Sequence, residues 1–199
     1  MKVAIIKYNA GNVQSVRYAL QRVGVEPLLT DDEGEIRTAD KVIFPGVGNA
    51  SSAMQHLKER RLDEVIKSLK QPVLGICLGL QLLCDSSEEG STPCLGIFSN
   101  QVKLFSDNDK QKQAIKKVPQ VGWNNISGYS GPLFQGINSD YVYYVHSYYA
   151  EISKDTIATT NYIQPYSAAL QKDNFYAVQF HPEKSGPVGE NILNNFLSI

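Results

Sequence analysis

Strand and helix patterns alternate along the first half of this 199-residue chain, and this alternation limits the possible folds more than any other feature. Buried strands are indicated by short apolar runs at 2–8, 25–29, 41–44 and 73–76. Apolar residues at helical spacing predict one helix with Asn12 as its N-cap. They predict a second helix that begins at Ser51 or Ser52. Strands that alternate with helices predict a mainly parallel sheet with helices on both faces, and the length suits one α/β domain over 1–199.

The second half of the chain is richer in strand patterns and closes with a helical pattern. Strands are indicated at 97–105, 118–126, 141–148, 157–162, 167–171 and 176–180. These are expected to add antiparallel strands to the fold. A final helix is predicted over 189–197, the polar stretch 106–117 is predicted to be a solvated loop or hairpin, and the apolar line from Met54 to Leu69 predicts a single helix.

Charge and composition argue against several functional classes. The formal net charge is −1, so no strong overall field attracts nucleic acid or a membrane surface. No apolar run approaches the roughly 18 residues that span a bilayer, and the apolar N-terminal stretch is too short for a signal peptide. The three cysteines have neither disulfide-like nor metal-ligand spacing, which favours a reducing cytoplasm and no metal site.

A glycine-flanked cysteine lies between the fourth predicted strand and a helical pattern. The segment reads Gly75-Ile-Cys77-Leu-Gly79. A nucleophile elbow has this layout, in which a Gly-x-nucleophile-x-Gly turn connects a strand to a helix. The glycines allow a sharp turn that exposes the cysteine, and the start of the helix favours its thiolate. A tight strand–helix connection around a buried cysteine would leave the same pattern, so partner residues must decide.

Candidate partners lie near the C-terminus, where His181 and Glu183 follow a strand pattern two residues apart. In an extended chain that spacing points both side chains the same way. Imidazole serves as base and acid near neutral pH, and an adjacent carboxylate fixes its tautomer and stabilises imidazolium. A strand-capping histidine beside a solvated glutamate is the alternative, and the presence of the elbow disfavours it.

A second glycine-rich segment, Pro45-Gly-Val-Gly48, follows the third predicted strand at its carboxyl end. Open α/β sheets place their sites at such ends. The segment is therefore a candidate oxyanion hole, in which the amide of Val47 or Gly48 joins the amide of Leu78. An ordinary glycine-rich turn is the alternative, and a dinucleotide loop is disfavoured because Gly-x-Gly-x-x-Gly is incomplete.

The elbow and the His181-Pro-Glu183 segment resemble those of the class I, or triad, glutamine amidotransferases, whose fold is a three-layer, flavodoxin-like α/β sheet. Further segments narrow the resemblance to the glutaminase subunits of imidazole glycerol phosphate synthase, an enzyme of histidine biosynthesis. These segments are Tyr8-Asn-Ala-Gly11-Asn12 with Ser15-Val16, Pro45-Gly-Val-Gly48, Val118-Pro-Gln-Val-Gly122-Trp-Asn124, Tyr144-Val-His146-Ser147-Tyr148 and His181-Pro-Glu-Lys-Ser185. Gln120 and Val121 depart from the residues usual in that family.

The resemblance implies a glutaminase that releases glutamate and ammonia without a cofactor or metal. Its catalytic residues would be Cys77, His181 and Glu183, and its oxyanion hole Val47, Gly48 and Leu78. The implied substrate-binding residues are Gly46, Gln81, His146, Ser147 and Tyr148.

The resemblance also implies a partner that uses the ammonia. In the family this is a (β/α)₈-barrel cyclase, which makes imidazole glycerol phosphate and aminoimidazole carboxamide ribotide. Because the sequence ends soon after its last helical pattern, the cyclase is expected to be a separate chain in a heterodimer. The expected interface residues are Asn12, Trp123, Asn124, Tyr143 and Lys184.

Three other functions fit part of the pattern. One is a triad glutaminase that serves anthranilate, aminodeoxychorismate or pyridoxal phosphate synthesis, which the segments at 122–124 and 144–148 disfavour. A γ-glutamyl hydrolase or peptidase-like enzyme would be active alone. A silent regulatory subunit would have no use for an intact Cys77, His181 and Glu183.

Overall fold

The computed structural model describes residues 1–8, 13–106 and 117–199. Its helices are α1 (Val13–Arg22), α2 (Glu33–Arg37), α3 (Ala50–Glu59), α4 (Leu62–Ser68), α5 (Leu78–Leu83) and α6 (Gly186–Ser198). Its strands are β1 (Val3–Ile6), β2 (Leu28–Thr30), β3 (Lys41–Gly46), β4 (Val73–Cys77), β5 (Ser86–Ser87), β6 (Thr92–Pro93), β7 (Gln101–Leu104), β8 (Gln120–Asn125), β9 (Tyr141–His146), β10 (Tyr148–Ala150), β11 (Thr156–Asn161), β12 (Pro165–Lys172) and β13 (Phe175–Val178).

A seven-stranded sheet forms the centre of the fold, in the order β11-β12-β13-β4-β3-β1-β2. The five strands from β13 to β2 are parallel, whereas β11 and β12 are antiparallel additions. Residues of β1 alternate between two apolar cores. Helices α2 to α5 pack in one core, and α1 and α6 pack in the other. The predicted three-layer, mainly parallel α/β fold is therefore confirmed.

Two smaller sheets come mostly from the second half of the chain. One has the order β10-β7-β5-β6, and the other is the antiparallel pair β8–β9. The single strand predicted over 141–148 is in fact two strands, because the chain passes from β9 to β10 at Ser147 and so changes sheets. The carbonyl of Ser147 accepts a hydrogen bond from the Phe105 amide at 2.9 Å, which holds this crossing point beside β7.

The prediction of a single helix between 51 and 69 was also wrong. The segment is divided into α3 and α4, because Arg61 adopts a left-handed backbone conformation with φ of 57°. The first of these helices begins earlier than expected, since Asn49 and not a serine is its N-cap. The Asn49 side-chain oxygen accepts hydrogen bonds from the amides of Ser51 and Ser52 at 2.9 and 3.2 Å. Most of the loop predicted at 106–117 lies outside the described residues.

The strand order brings three chain segments together at one edge of the sheet. Because β4 lies between β13 and β3, Cys77 at the end of β4 is adjacent to the segments that follow both neighbours. Gly46 pairs with Cys77 across β3 and β4, and Val178 pairs with Ile76 across β13 and β4. The predicted elbow, the Pro45–Gly48 segment and the His181 segment thus converge at this edge, as expected for an open α/β sheet.

The N-cap assignment generates a stability prediction. Asn49→Ala should lower the free energy of unfolding by about 1 kcal/mol, because two amides of the first turn of α3 lose their acceptor. Asn49→Asp should keep most of the stability, and Ser51→Ala serves as the control. Urea unfolding curves measure the difference. A larger loss for Ser51→Ala than for Asn49→Ala would place the cap at Ser51.

Candidate active site

Cys77 occupies a sharp turn between β4 and α5. Its φ and ψ are 54° and −108°, a conformation that non-glycine residues seldom adopt and that often marks a functional site. The flanking glycines let three elements approach closely. A Cβ atom on Gly79 would collide with the carbonyl oxygen of Phe44 in β3, and one on Gly75 would lie 2.7 Å from Leu83 Cδ1. The strand–turn–helix arrangement predicted for the elbow is therefore present.

His181 and Glu183 are joined by a hydrogen bond beside the elbow. His181 Nδ1 lies 2.7 Å from Glu183 Oε1, and both side chains are almost completely buried. The backbone is held in place because the His181 amide donates to the Tyr143 carbonyl at 2.9 Å. Ser185 Oγ also donates to the His181 carbonyl at 2.7 Å. The imidazole is thereby fixed with its other nitrogen available to Cys77.

The surroundings of His181 favour its protonated form. Burial alone lowers the pKa of His181, but hydrogen bonds and charge interactions with Cys77 and Glu183 outweigh it and raise the pKa to about 10. At neutral pH His181 is therefore an imidazolium between two acidic groups. Such a cation stabilises a neighbouring thiolate and holds a proton ready for a leaving group.

A pocket of about 350 Å³ opens above Cys77. It brings together nine of the residues that the sequence predicted for catalysis, the oxyanion hole or substrate binding: Val47, Gly48, Cys77, Leu78, Gln81, His146, Ser147, Tyr148 and His181. Lys184, predicted for the partner interface, lines the pocket as well. Glu183 lies behind His181 and does not line this pocket. Gly46 does not line it either. A Cβ atom on Gly46 would collide with the Tyr8 hydroxyl and lie 2.8 Å from Leu78 Cβ, so this glycine serves close packing.

Gln81 and His146 form one wall of the pocket through a shared acceptor. The Tyr148 carbonyl accepts from Gln81 Nε2 at 2.9 Å and lies 2.8 Å from His146 Nδ1. Burial lowers the pKa of His146 to about 4, so this imidazole is neutral at physiological pH and donates from Nδ1. His146 thus shapes the pocket, while His181 alone of these two histidines has a protonation state suited to acid catalysis.

The Val47–Gly48 segment reaches the rim of the pocket next to Leu78. Gly48 is exposed and has φ of 113°, which favours glycine. The structure therefore puts both halves of the predicted oxyanion hole on the same pocket.

Glu89 also lines the pocket, although no sequence motif pointed to it. It lies in a short 3₁₀ turn, Glu89–Ser91, and its carboxylate accepts a hydrogen bond from the Ala50 amide at 2.6 Å. Glu89 belongs to a polar stretch with no periodic pattern. Only the packing of that stretch against the start of α3 brings the carboxylate to the pocket.

Three of the residues predicted for a partner interface lie on the β8–β9 sheet. Trp123 is 56% exposed, and its ring meets that of Tyr143 edge-on at 5.9 Å between ring centres. Asn124 donates to the Asn161 carbonyl at 3.2 Å. Lys184 is exposed at the pocket rim, and Asn12 lies outside the described residues.

The described part of the chain offers neither a metal centre nor a membrane span. Within it, no group of three or more His, Cys, Asp or Glu side chains could hold a metal ion. None of the helices that the structure describes is long and apolar enough to cross a membrane.

The chain matches the class-I glutamine amidotransferase family over residues 4–199. Two solved structures share its fold over the whole chain. A putative GMP synthase protein from Thermoplasma acidophilum has a TM-score of 0.72 at 21% identity, and the match covers 100% of this chain and 93% of that one. A glutamine amidotransferase has a TM-score of 0.73 at 16% identity, with coverage of 100% and 98%.

Closer relatives are proteins named imidazole glycerol phosphate synthase subunit HisH. The one from Bacteroides fragilis is 58% identical over 100% of both chains. The one from Haemophilus influenzae is 43% identical over 99% of this chain and 97% of its own. The chain therefore belongs to the class-I glutamine amidotransferases and, within that class, to the HisH family.

The opposite environments of the two buried histidines generate a titration prediction. His181 should stay protonated through neutral pH and lose its proton only as pH rises toward about 10, whereas His146 should gain one only as pH falls toward about 4. Ring ¹⁵N shifts of the two histidines in a pH series measure both transitions. Glu183→Gln should lower the pKa of His181, because the hydrogen bond loses its charge. Titration of both histidines at the same pH would contradict the assignment.

Proposed function

We propose that this chain hydrolyses glutamine at Cys77 and delivers the ammonia to a separate cyclase subunit in histidine biosynthesis. The cyclase would convert it into imidazole glycerol phosphate and aminoimidazole carboxamide ribotide. The observation that carries the proposal is the buried His181–Glu183 pair, which interacts with a cysteine held in a strained elbow at the base of a pocket. Membership of the HisH family supports the biosynthetic assignment.

The first step is attack by the Cys77 thiolate on the side-chain amide carbon of glutamine. The carbonyl oxygen of the substrate becomes an oxyanion in the tetrahedral intermediate. The amides of Leu78 and of Val47 or Gly48 would donate to it, and each such donor typically contributes about 3–4 kcal/mol. Their location on one pocket supports this role.

The second step is release of ammonia. His181 donates its proton to the departing nitrogen, which leaves a γ-glutamyl thioester on Cys77. The imidazole then takes a proton from water, which attacks the thioester and frees glutamate. Glu183 keeps the ring oriented and stabilises its charge throughout, as the 2.7 Å hydrogen bond between them allows.

The rest of the substrate requires groups that hold an α-ammonium and an α-carboxylate. Glu89 supplies a carboxylate on the pocket wall for the ammonium. Gln81, with Ser147 and Tyr148, supplies amide, hydroxyl and backbone groups for the remaining polar atoms. The wall is rigid because Gln81 and His146 both bind the Tyr148 carbonyl, so it can orient the amide carbon toward Cys77.

The partner is proposed to dock on an apolar surface beside the pocket. This surface, called here the β8–β9 face, consists of Val121, Trp123, Tyr141, Tyr143 and Val145. Residues of both strands alternate, so Val121 stands opposite Val145 and Trp123 opposite Tyr143. Apolar side chains that stay exposed together mark interaction sites, and four of these five are between 38% and 60% exposed.

The β8–β9 face is continuous with the catalytic pocket. Val145 lines the pocket, and its carbonyl lies 3.8 Å from Cys77 Sγ. A partner seated on this face would therefore cover the place where ammonia is released. Such cover suits the chemistry, because free ammonia would be protonated and lost in water. A cyclase of the (β/α)₈ type, contacted by Trp123 and also by Asn12, Asn124 and Lys184, is the proposed occupant.

The proposal places the protein in the cytoplasm. Cys77, Cys84 and Cys94 are all free thiols, and a catalytic thiol persists best in a reducing compartment.

Replacing the nucleophile tests the proposed function. Cys77→Ala should abolish glutamine-dependent product formation, while the complex still works with ammonium salts, because the cyclase site is untouched. The assay is product formation by the complex with each nitrogen source. Cys84→Ala is the matched control, because Cys84 is buried and burial raises its pKa well above the usual range. Unchanged glutamine turnover by Cys77→Ala would reject the proposed nucleophile.

Truncating the exposed tryptophan tests the partner surface. Trp123→Ala should weaken binding of the cyclase by about tenfold to a hundredfold, because exposed aromatic anchors dominate such interfaces. Ile152→Ala is the control, since Ile152 is 52% exposed but outside the β8–β9 face. Calorimetric titration with the cyclase measures both. Equal affinity for the two variants would move the partner to another surface, and full glutaminase activity without any cyclase would favour an autonomous hydrolase.

A further inference from the structure

A buried amide touches the sulfur of the elbow, and the reaction scheme above does not use it. Gln179 follows β13 directly and is completely buried. Its Nε2 atom lies 3.7 Å from Cys77 Sγ, within hydrogen-bond range for sulfur. No sequence motif singled it out, because a lone glutamine at a strand end has many ordinary explanations.

The orientation of the Gln179 amide follows from two hydrogen bonds that connect it, through Gln81, to the Tyr148 carbonyl. The Tyr148 carbonyl can only accept, so the atom of Gln81 that lies 2.9 Å from it must be Nε2. The same Nε2 lies 3.1 Å from Gln179 Oε1. Reversing the Gln179 amide would bring two donors face to face, so its own Nε2 must point at Cys77.

The backbone beneath Gln179 is fixed as well. Its amide donates to the Ala168 carbonyl at 2.8 Å, and Val178 pairs with Ala169 in the sheet. The Gln179 side chain is thus attached to a central strand at one end and to Gln81 at the other. An amide held in this way is preorganised, because it needs no rearrangement to meet a charge on the sulfur.

We propose that Gln179 is a further catalytic residue, which donates an N–H hydrogen bond to the Cys77 thiolate. This inference rests on the proposed glutaminase function. The hydrogen bond transfers no proton, and it is stronger to a charged sulfur than to a neutral one. Gln179 therefore favours the thiolate before attack, and again when the thioester breaks and the sulfur regains its charge.

Other titratable groups also act on Cys77, and they set the background for a test. Tyr8 and His181 interact with its charge. Glu89, His146 and Lys184 line the same pocket, and Glu183 is hydrogen-bonded to His181. A variant at position 179 leaves all of them in place, so a change in thiolate reactivity would report the lost N–H donor.

The test is alkylation of Cys77 by iodoacetamide in the assembled complex, followed over a pH series by mass spectrometry of the Cys77 peptide. Gln179→Met has a similar shape but no donor. It should move the midpoint of the profile upward by about one pH unit, so that alkylation below the midpoint slows about tenfold. The kcat for glutamine should fall by a similar factor at the same pH, with a smaller change in KM.

Two control variants separate this role from structural support. Gln171→Met replaces a half-buried glutamine on β12 whose side chain bonds Tyr176, and should leave the profile unchanged. Gln81→Met removes the hydrogen bond that supports Gln179 but leaves the Gln179 amide in place. This variant should raise KM and move the midpoint less than Gln179→Met does. A Gln179→Met profile that coincides with that of the native complex overturns the inference. Absence of Cys77 alkylation in the native complex would instead reject the proposed function.

A second measurement needs no variant at position 179 and covers the case in which Gln179→Met does not fold. The side-chain amide of Gln179 is observed by ¹⁵N NMR in the native complex and in Cys77→Ala. Loss of the sulfur acceptor should shift its amide protons upfield, while those of Gln171 stay in place. Unmoved Gln179 signals would overturn the inference.

Discussion

The close approach of α5 to β3 and β4 is the constraint on which the site depends. It exists only because Gly75 and Gly79 have no side chains where Leu83 and the Phe44 carbonyl come closest. The chain can then turn sharply at one residue, and the backbone strain of this turn lies at Cys77, which has a positive φ. A wider turn would move the sulfur away from the ends of β3 and β13. Every proposed catalytic contact follows from that placement.

The second requirement is a buried charge that stays paired. An isolated imidazolium in the protein interior would be costly, yet burial does not neutralise His181, because Glu183 and Cys77 both interact with it. His146, which lines the same pocket, shows the opposite result. Its contacts are a carbonyl, the Tyr166 hydroxyl and aromatic rings. Burial therefore prevails, the charge of His181 adds to it, and His146 stays neutral. Burial acts on both histidines of the pocket, and only the acidic partners of His181 outweigh it, so the two differ in protonation state.

Much of the fold could be predicted because apolar periodicity is a local property. The alternation of strands and helices, and the three-layer sheet that it implies, appear in the structure with shifts of a few residues at the ends. The errors have specific causes. Arg61 ends the predicted single helix because it adopts a left-handed backbone conformation, which arginine as a residue type does not predict. The cap was predicted at Ser51 or Ser52, but asparagine caps helices as well as serine does, and only the hydrogen bonds assign the cap to Asn49. Ser147 divides one strand pattern between two sheets.

The chemistry of the chain can be read from local sequence patterns: a cysteine between glycines, a histidine two residues before a glutamate, and glycines after the third strand. These are local patterns, and each residue type has intrinsic chemistry that survives any arrangement. Which of these groups meet depends on how the chain folds. Glu89 and Gln179 reach the site through packing between segments far apart in the chain. Gly46 packs against Tyr8 and Leu78 and does not line the pocket. The protonation state of each histidine also depends on neighbours that are distant in sequence, because electrostatic and packing contacts act through space.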